Sequence, residues 1–309
     1  MMLPELGVIL ADLFFPIFEY IAPYVPGEFF PNFFNGEIKA LQRSLLGSLM
    51  VTIIAGFLGS FLLVRNLAMI GDGLAHVAFG GVIVGIILGA STPLWYAMIC
   101  AIIASISIYE LQSREILTGD ASIAIFMTGM LAFGLVILKL SGRAITTDIH
   151  SYLFGSQLLI DSANLNLISY MSLVSLFVLF NLRHALLAIT IDPLSARVQG
   201  LPVRGIGLMF SIIIAIVVVS MVKVVGALLV TALLVTPAAT AQLIGRSFKS
   251  CIFWAQVFGF LSVLIGLYIS SEHGTGAGSS IALTAASIFV IIGLLSGVSK
   301  ITNPGKNEN

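Results

Sequence analysis

The chain has 309 residues, of which 59% are hydrophobic and only 9% charged. Fourteen Lys plus Arg balance fourteen Asp plus Glu, and the mean hydropathy is +1.11. A soluble domain carries roughly 25% charged residues, so this composition excludes a soluble enzyme, a disordered chain and a basic nucleic-acid binder, and leaves a polytopic membrane protein.

Residues 7–25 are apolar but broken by Asp12, Pro16, Glu19 and Pro23, with Pro26 just beyond. They predict an interfacial or loosely packed helix rather than a span. The N-terminus has no early Lys or Arg and no clean apolar core of a leader, so no cleavable signal peptide is expected. Residues 1–38 are read as an N-terminal extension, interfacial or extracytoplasmic. Nine apolar runs follow, at 44–64, 74–90, 93–112, 120–140, 165–184, 205–222, 224–244, 250–271 and 279–298. A span needs ~20 residues, so nine use about 180 and leave short loops. The expected fold class is an all-α, polytopic transmembrane helical bundle of about nine spans. Residues 39–300 form a single transmembrane domain and 301–309 a short polar tail.

The basic residues set an orientation. With the loop 185–204 in the cytoplasm, Arg65, Arg114, Arg183, Arg197, Arg204, Arg246, Lys249, Lys300 and Lys306 share its side, against Lys39, Arg43, Lys139, Arg143 and Lys223. Nine against five is a positive-inside signal. It predicts a multi-pass cell-membrane protein, N-terminus outside and C-terminus cytoplasmic. Cys100 and Cys251 sit in or beside apolar runs and read as small hydrophobes.

Ionisable groups are costly within a bilayer, so each is a candidate site. Asp72 and His76, in Met69-Ile70-Gly71-Asp72-Gly73-Leu74-Ala75-His76, are spaced i, i+4 and share one helix face. One hard oxygen and one borderline nitrogen suit Zn²⁺ or Mn²⁺; the same spacing also serves a structural hydrogen-bonded pair. Glu272 and His273 are a secondary candidate, at an outer mouth or in a solvated turn. His150 and His184 read as interfacial. Thr236-Pro237, with Thr231 and Thr240 nearby, predicts a kinked helix that fits the lining of a pathway, though such kinks are also common in membrane helices with no special role. Gly81, Gly85 and Gly89 make a small-residue stripe, for packing within the chain or for a homodimer seam. Asp192 can cap a helix that begins at Pro193, with Ala196 and Arg197 inside it and Gly200 and Pro202 ending it. A short, bounded helix of this kind can dock a soluble partner.

There is no G-x-x-x-x-G-K-[ST], H-E-x-x-H or G-x-S-x-G, so the chain is read as no enzyme, and ATP-driven transport would need another chain.

Taken in order, several motifs resemble the permease subunit of metal-ion ABC importers, which take up zinc, manganese or iron. They are Ala40-Leu41-Gln42-Arg43-Ser44-Leu45, Gly59-Ser60-Phe61 with Arg65, Gly71-Asp72-Gly73-Leu74-Ala75-His76, Asp192-Pro193 with Ala196 and Gly200-Leu201, Val225-Gly226-Ala227-Leu228-Leu229-Val230, and Pro237-Ala238-Ala239-Thr240-Ala241. The chain departs from the family at Ala75, where a Ser is usual, at Phe79-Gly80-Gly81 in place of Leu-Pro-Gly, and at Ala124 in place of a Gly. Residues 1–38 have no counterpart. The resemblance implies a fold of the metal and cobalamin importer type. It also implies a second copy of the chain, a cytoplasmic ATP-binding subunit and an extracytoplasmic metal-binding protein. Segment 192–202 would dock the ATPase, Asp72 and His76 would contact the transported ion, and no cofactor would be permanently bound. The ion would pass by alternating access. The alternative is an ion-coupled secondary transporter with no ATPase partner.

Overall fold

In hydrocarbon an apolar segment satisfies its backbone N–H and C=O groups internally, which favours the α-helix. In the computed structural model the described residues are 5–302 except 91, 143–146 and 156–159, and among them there is no strand. Residues 303–309, most of the expected tail, and the side chain of His150 lie outside the described set.

Eight of the nine expected spans are long helices. They are α2 (Lys39–Val64), α3 (Ile70–Ile87), α4 (Leu94–Ser113), α5 (Gly119–Leu140), α7 (Ser162–Ile191), α9 (Val203–Val225), α12 (Phe248–His273) and α13 (Ala277–Thr302). The shorter helices are α1 (Leu6–Ile21), α6 (Thr147–Phe154), α8 (Pro193–Val198), α10 (Val230–Leu234) and α11 (Thr236–Ile244). Glu110 takes Arg204 at 2.7 Å and Arg114 at 3.0 Å. These pairs tie the end of α4 to the start of α9, which follows α8, and Arg65, just past the end of α2, stacks over Phe210 of α9. The opposite end joins the C-terminus of α9 to the start of α13, where Gly278 lies against the Val225 carbonyl.

The run 224–244, expected to be one kinked span, is instead broken twice. Helix α9 runs on to Val225 and stops at Gly226, whose φ of +92° suits glycine. A 3₁₀ turn over Ala227–Leu229 leads into α10, and Val235 separates α10 from α11. Pro237 falls in the first turn of α11 and has no N–H to give the Leu233 carbonyl, so the helical ladder cannot run through. The broken element still carries the chain between the two ends, because α9 finishes at one and α12 starts at the other.

Nine helices among the described residues are long and apolar enough to cross a membrane. The number matches the expectation but the set differs, since Leu6–Tyr24 qualifies and 224–244 does not. Helix α1 is nonetheless tied at both ends to the end of the bundle opposite α8. Asn166, in the second turn of α7, accepts hydrogen bonds from Gly7 N (2.7 Å) and Val8 N (3.2 Å). Phe18 packs edge-on against Phe34, just before α2, at 5.9 Å. Placed so, α1 lies against that end rather than crossing beside α7.

The centre is α2, α3 and α9, whose side chains are largely buried; α5, α7, α12 and α13 expose large apolar residues such as Phe133, Phe177, Phe253 and Leu283. Glycines bring the central backbones together. At Gly59 the position of a Cβ is already taken by the Leu234 carbonyl oxygen.

Candidate functional site

Asp72 lies in the first turn of α3 and His76 in the second. Their face follows from what surrounds α3. Gly73 and Gly80 meet α5 at Ile123 and Met130, Gly81 and Gly85 meet Ala97 and Pro93, and Gly71 meets Leu234 of α10. At 100° per residue, Asp72 and His76 stand about 40° apart. They fall in the sector left between α10 and α5. The pair is recessed from the α8 end. Leu234 lies against both Gly71 and Gly59, and from that level α2 continues for five residues and α11 for nine.

The His76 side chain is 13% exposed and that of Asp72 28%. His76 Nε2 stands 3.8 Å from Asp72 Oδ1, too far for a hydrogen bond. His76 Nδ1 is buried with no hydrogen-bond partner, as is Thr231 Oγ1, which lies near Gly71. A buried polar atom without a partner costs about 1–3 kcal/mol. Two ligands bound at about 2.0–2.2 Å to one zinc stand at most about 4.4 Å apart, so 3.8 Å is within bridging reach. The donor set thus fits an ion held between carboxylate and imidazole. No group of three or more His, Cys, Asp or Glu gathers elsewhere among the described residues. A two-ligand site lacks the closed shell of a structural zinc site.

Glu272 and His273 separate. His273 ends α12 and is exposed, and Gly274 follows in a left-handed conformation. Glu272 Oε1 accepts backbone hydrogen bonds from Phe29 and Phe30, both at 2.9 Å. This carboxylate therefore anchors the N-terminal extension rather than lining an open mouth. The glycine stripe also divides. Gly81 and Gly85 pack within the chain, whereas Gly89 lies past the end of α3, with φ +71° and open space around it.

The segment at the α8 end is bounded at both sides. Asp192 Oδ1 accepts from Leu194 N (2.9 Å) and Ser195 N (3.1 Å). Pro193 opens α8, Ala196 is its one buried residue, and Leu194 and Val198 are exposed. Arg197 sits in its last turn. Gly200, at φ +84°, closes it with Gly200 N donating to Arg197 O and Leu201 N to Ala196 O. The Ser195 hydroxyl, then the backbone N–H groups of Ser195 and Leu194, hold the Asp192 carboxyl below the usual carboxylate range.

A model of the ABC 3 transport family matches residues 37–296. The chain belongs to the ABC 3 transport family. Among relatives within reach of this family, the manganese transport system membrane protein MntC of Halalkalibacterium halodurans is 30% identical over 251 residues, 81% of this chain and 85% of its own. The high-affinity zinc uptake system membrane protein ZnuB of Haemophilus influenzae is 32% identical over 253 residues, 82% of this chain and 96% of its own. Of solved structures, PsaBC from Streptococcus pneumoniae in complex with Fab has a TM-score of 0.73 at 31% identity, covering 83% of this chain and 91% of that one. A metal-chelate type ABC transporter in an inward-facing conformation has a TM-score of 0.64 over 94% of this chain and 98% of that one; at 16% identity it speaks to the fold alone. The all-α, polytopic fold is that of ABC 3 transport permeases, and the secondary-transporter alternative falls away. The family match starts at residue 37, so most of the extension lies outside it.

Three contacts had no signal in the sequence. One is the clip from Glu272 to Phe29 and Phe30. Another is Lys223, buried in α9 with its Nζ 4.5 Å from the Tyr152 ring centre. The last is Arg65, which stacks 4.9 Å over Phe210 and whose pKa burial pulls down.

Proposed function

We propose that this chain is the membrane permease of an ATP-driven importer for manganese or zinc. The observation that carries the reading is the Asp72–His76 pair: His76 Nε2 and Asp72 Oδ1 stand 3.8 Å apart on one sector of α3, within reach of a single bridging ion. Relatives named for manganese and zinc uptake support the cargo. Affinity order alone does not choose between these metals.

Two ligands are too few to strip a divalent ion of its water, and the bilayer makes a bare ion prohibitive. A second copy of the chain facing the same pathway would double the donors to two carboxylates and two imidazoles. The bond to each remains weak enough to release the ion. In this reading α8 docks a cytoplasmic ATP-binding subunit through Leu194, Arg197 and Val198, with Asp192, Pro193 and Gly200 fixing its bounds. The α8 end then faces the cytoplasm and the end that carries α1 faces outward, toward an extracytoplasmic metal-binding protein. Residues 39–300 form the transport unit, and 1–38 dress its outer end. The break around Val235, Thr236 and Pro237 gives the pathway a hinge beside Gly71.

The test is metal uptake by cells that express Asp72→Ala or His76→Ala at normal membrane levels. Both should transport far less manganese or zinc. Undiminished uptake by either would reject the pair as the ion's contact.

A further inference from the structure

At the α8 end, α2 packs against both α7 and α12. The two outer helices stand as walls over a floor made by α2. Between them lies a cavity of about 320 Å³ lined by Phe57, Arg183, His184, Leu187, Phe248, Lys249 and Ile252. Its lining is amphiphilic: two permanent cations and a histidine against four apolar side chains. Among the described residues no carboxylate comes within ion-pair distance of Arg183, His184 or Lys249.

The exposed apolar surface that continues from the cavity argues for a bilayer component rather than a soluble subunit. Phe57 precedes the end of α2 by seven residues and Arg183 precedes the end of α7 by eight. At 1.5 Å per residue Phe57 and Arg183 lie about 10–12 Å back from those helix ends, whereas Phe248 and Lys249 open α12, so the cavity runs inward from the start of that helix. The Arg183 guanidinium lies 3.8 Å over the ring of Phe180, which is itself 56% exposed. An Arg stacked on an exposed ring, with its stem on apolar surface and its charge free, suits the boundary between headgroups and acyl chains. One turn deeper, the floor continues as Ile53, exposed and held by Gln256 Nε2 on its carbonyl at 2.6 Å. Phe253 of α12, also exposed, lies on the neighbouring wall. An apolar track therefore leads away from the cationic mouth, in the direction an acyl chain takes.

We infer that the cavity between α7 and α12 binds the phosphodiester headgroup of an anionic lipid through Arg183 and Lys249, with an acyl chain laid over Phe57 and Ile53. Basic pockets between membrane helices recognise such headgroups. Zwitterionic lipids carry their own cation and gain little from the two basic side chains. Free phosphate shares the headgroup chemistry but has nothing to lay on the apolar track.

The experiment is native mass spectrometry of the permease, purified with its ATPase partner in detergent. The complex is titrated with phosphatidylglycerol, with phosphatidylcholine, and with phosphatidylglycerol in the presence of inorganic phosphate. The wild type should retain one tight phosphatidylglycerol per permease chain, resistant to phosphatidylcholine and to phosphate. Arg183→Gln with Lys249→Gln should bind it about 10–30-fold more weakly. Arg183→Lys with Lys249→Arg should keep it, as should Arg246→Gln, outside the cavity. Equal retention by the double Gln variant would overturn the assignment. So would equal binding of phosphatidylcholine, and displacement by phosphate alone would make it a soluble-anion site. A photoactivatable phosphatidylglycerol offers a check that needs no variant. Its label should map to Phe57, Ile53 or Ile252, and labelling confined to other helices would overturn the site.

Discussion

Glu272 holds Phe30 by its backbone. The carboxylate Oε1, one residue from the end of α12, accepts the Phe30 N–H at 2.9 Å and the Phe29 N–H at the same distance. Bonds from neutral donors to a carboxylate are the stronger, charge-assisted kind. Together with the Asn166 clip on α1 and the bond from Gln42 Nε2 to Phe34 O at 2.9 Å, they sew the extension to α7, α2 and α12.

Glu272→Ala should release residues 27–34 without touching the ion pathway. Limited chymotrypsin digestion reads this directly, because Phe29, Phe30, Phe33 and Phe34 are the sites exposed. Cleavage should become several-fold faster, while Glu272→Gln, which keeps one acceptor oxygen, should stay near wild type. Metal affinity should not move in either variant. A loss of metal binding with unchanged digestion would return Glu272 to the list of ion contacts.

The close approach of α2 to the broken element makes a sharp stability prediction. A Cβ on Gly59 would fall on the Leu234 carbonyl oxygen, which is backbone and cannot rotate aside. Gly59→Ala should therefore destabilise the protein by about 1–3 kcal/mol, the usual cost of overpacking, seen as a lower melting point in detergent. Gly297, on α13, has nothing within 4 Å of the same position. Gly297→Ala should show no loss, and a helical Gly→Ala change is favourable by roughly 0.5–1 kcal/mol. Equal effects at the two positions would contradict the packing.

How far the sequence was legible depends on the range of each cause. Eight spans were readable because apolar length is a local property, and α8 because Asp192, Pro193 and Gly200 act within a turn of themselves. The Asp72–His76 spacing was visible for the same reason. The break at 226–235 was seen only as a Pro kink, because it also needs a positive φ at Gly226 and the Leu234 carbonyl against Gly59, a contact between distant segments. Helix α1 passes for a span on length and composition, although Asp12, Pro16 and Glu19 already point to an interfacial helix, and Asn166 and Phe34 show which end it lies against. Glu272 finds its partner 243 residues away, and no local pattern announces such a clip.

Asp72→Asn is the sharper probe of the ion contact, since it keeps shape and removes charge. Uptake should fall by at least about tenfold, in line with the cost of disturbing even the outer shell of metal sites. The melting point should stay close to wild type, because the pair makes no direct hydrogen bond whose loss would be felt. His76→Gln should act likewise. Reduced uptake with an equally reduced melting point in both variants would indicate a structural pair instead.

Asp192 sets the last test, and its charge state fixes the pH window. Its pKa lies below the ordinary aspartate value, first through the Ser195 hydroxyl and then through the N–H groups of Ser195 and Leu194. Folding thus favours the carboxylate, so the cap is fully present above about pH 4, the ordinary aspartate pKa. It is lost only as pH falls through the depressed value. Across the neutral range the cap does not titrate, and ATP turnover stimulated by the permease should owe none of its pH dependence to Asp192. Asp192→Ala should fray α8 and lower both co-purification with the ATPase and the stimulated turnover. Asp192→Asn keeps an acceptor oxygen for the two N–H groups and should retain most of both. Normal coupling in Asp192→Ala would mean that docking does not depend on a preformed α8.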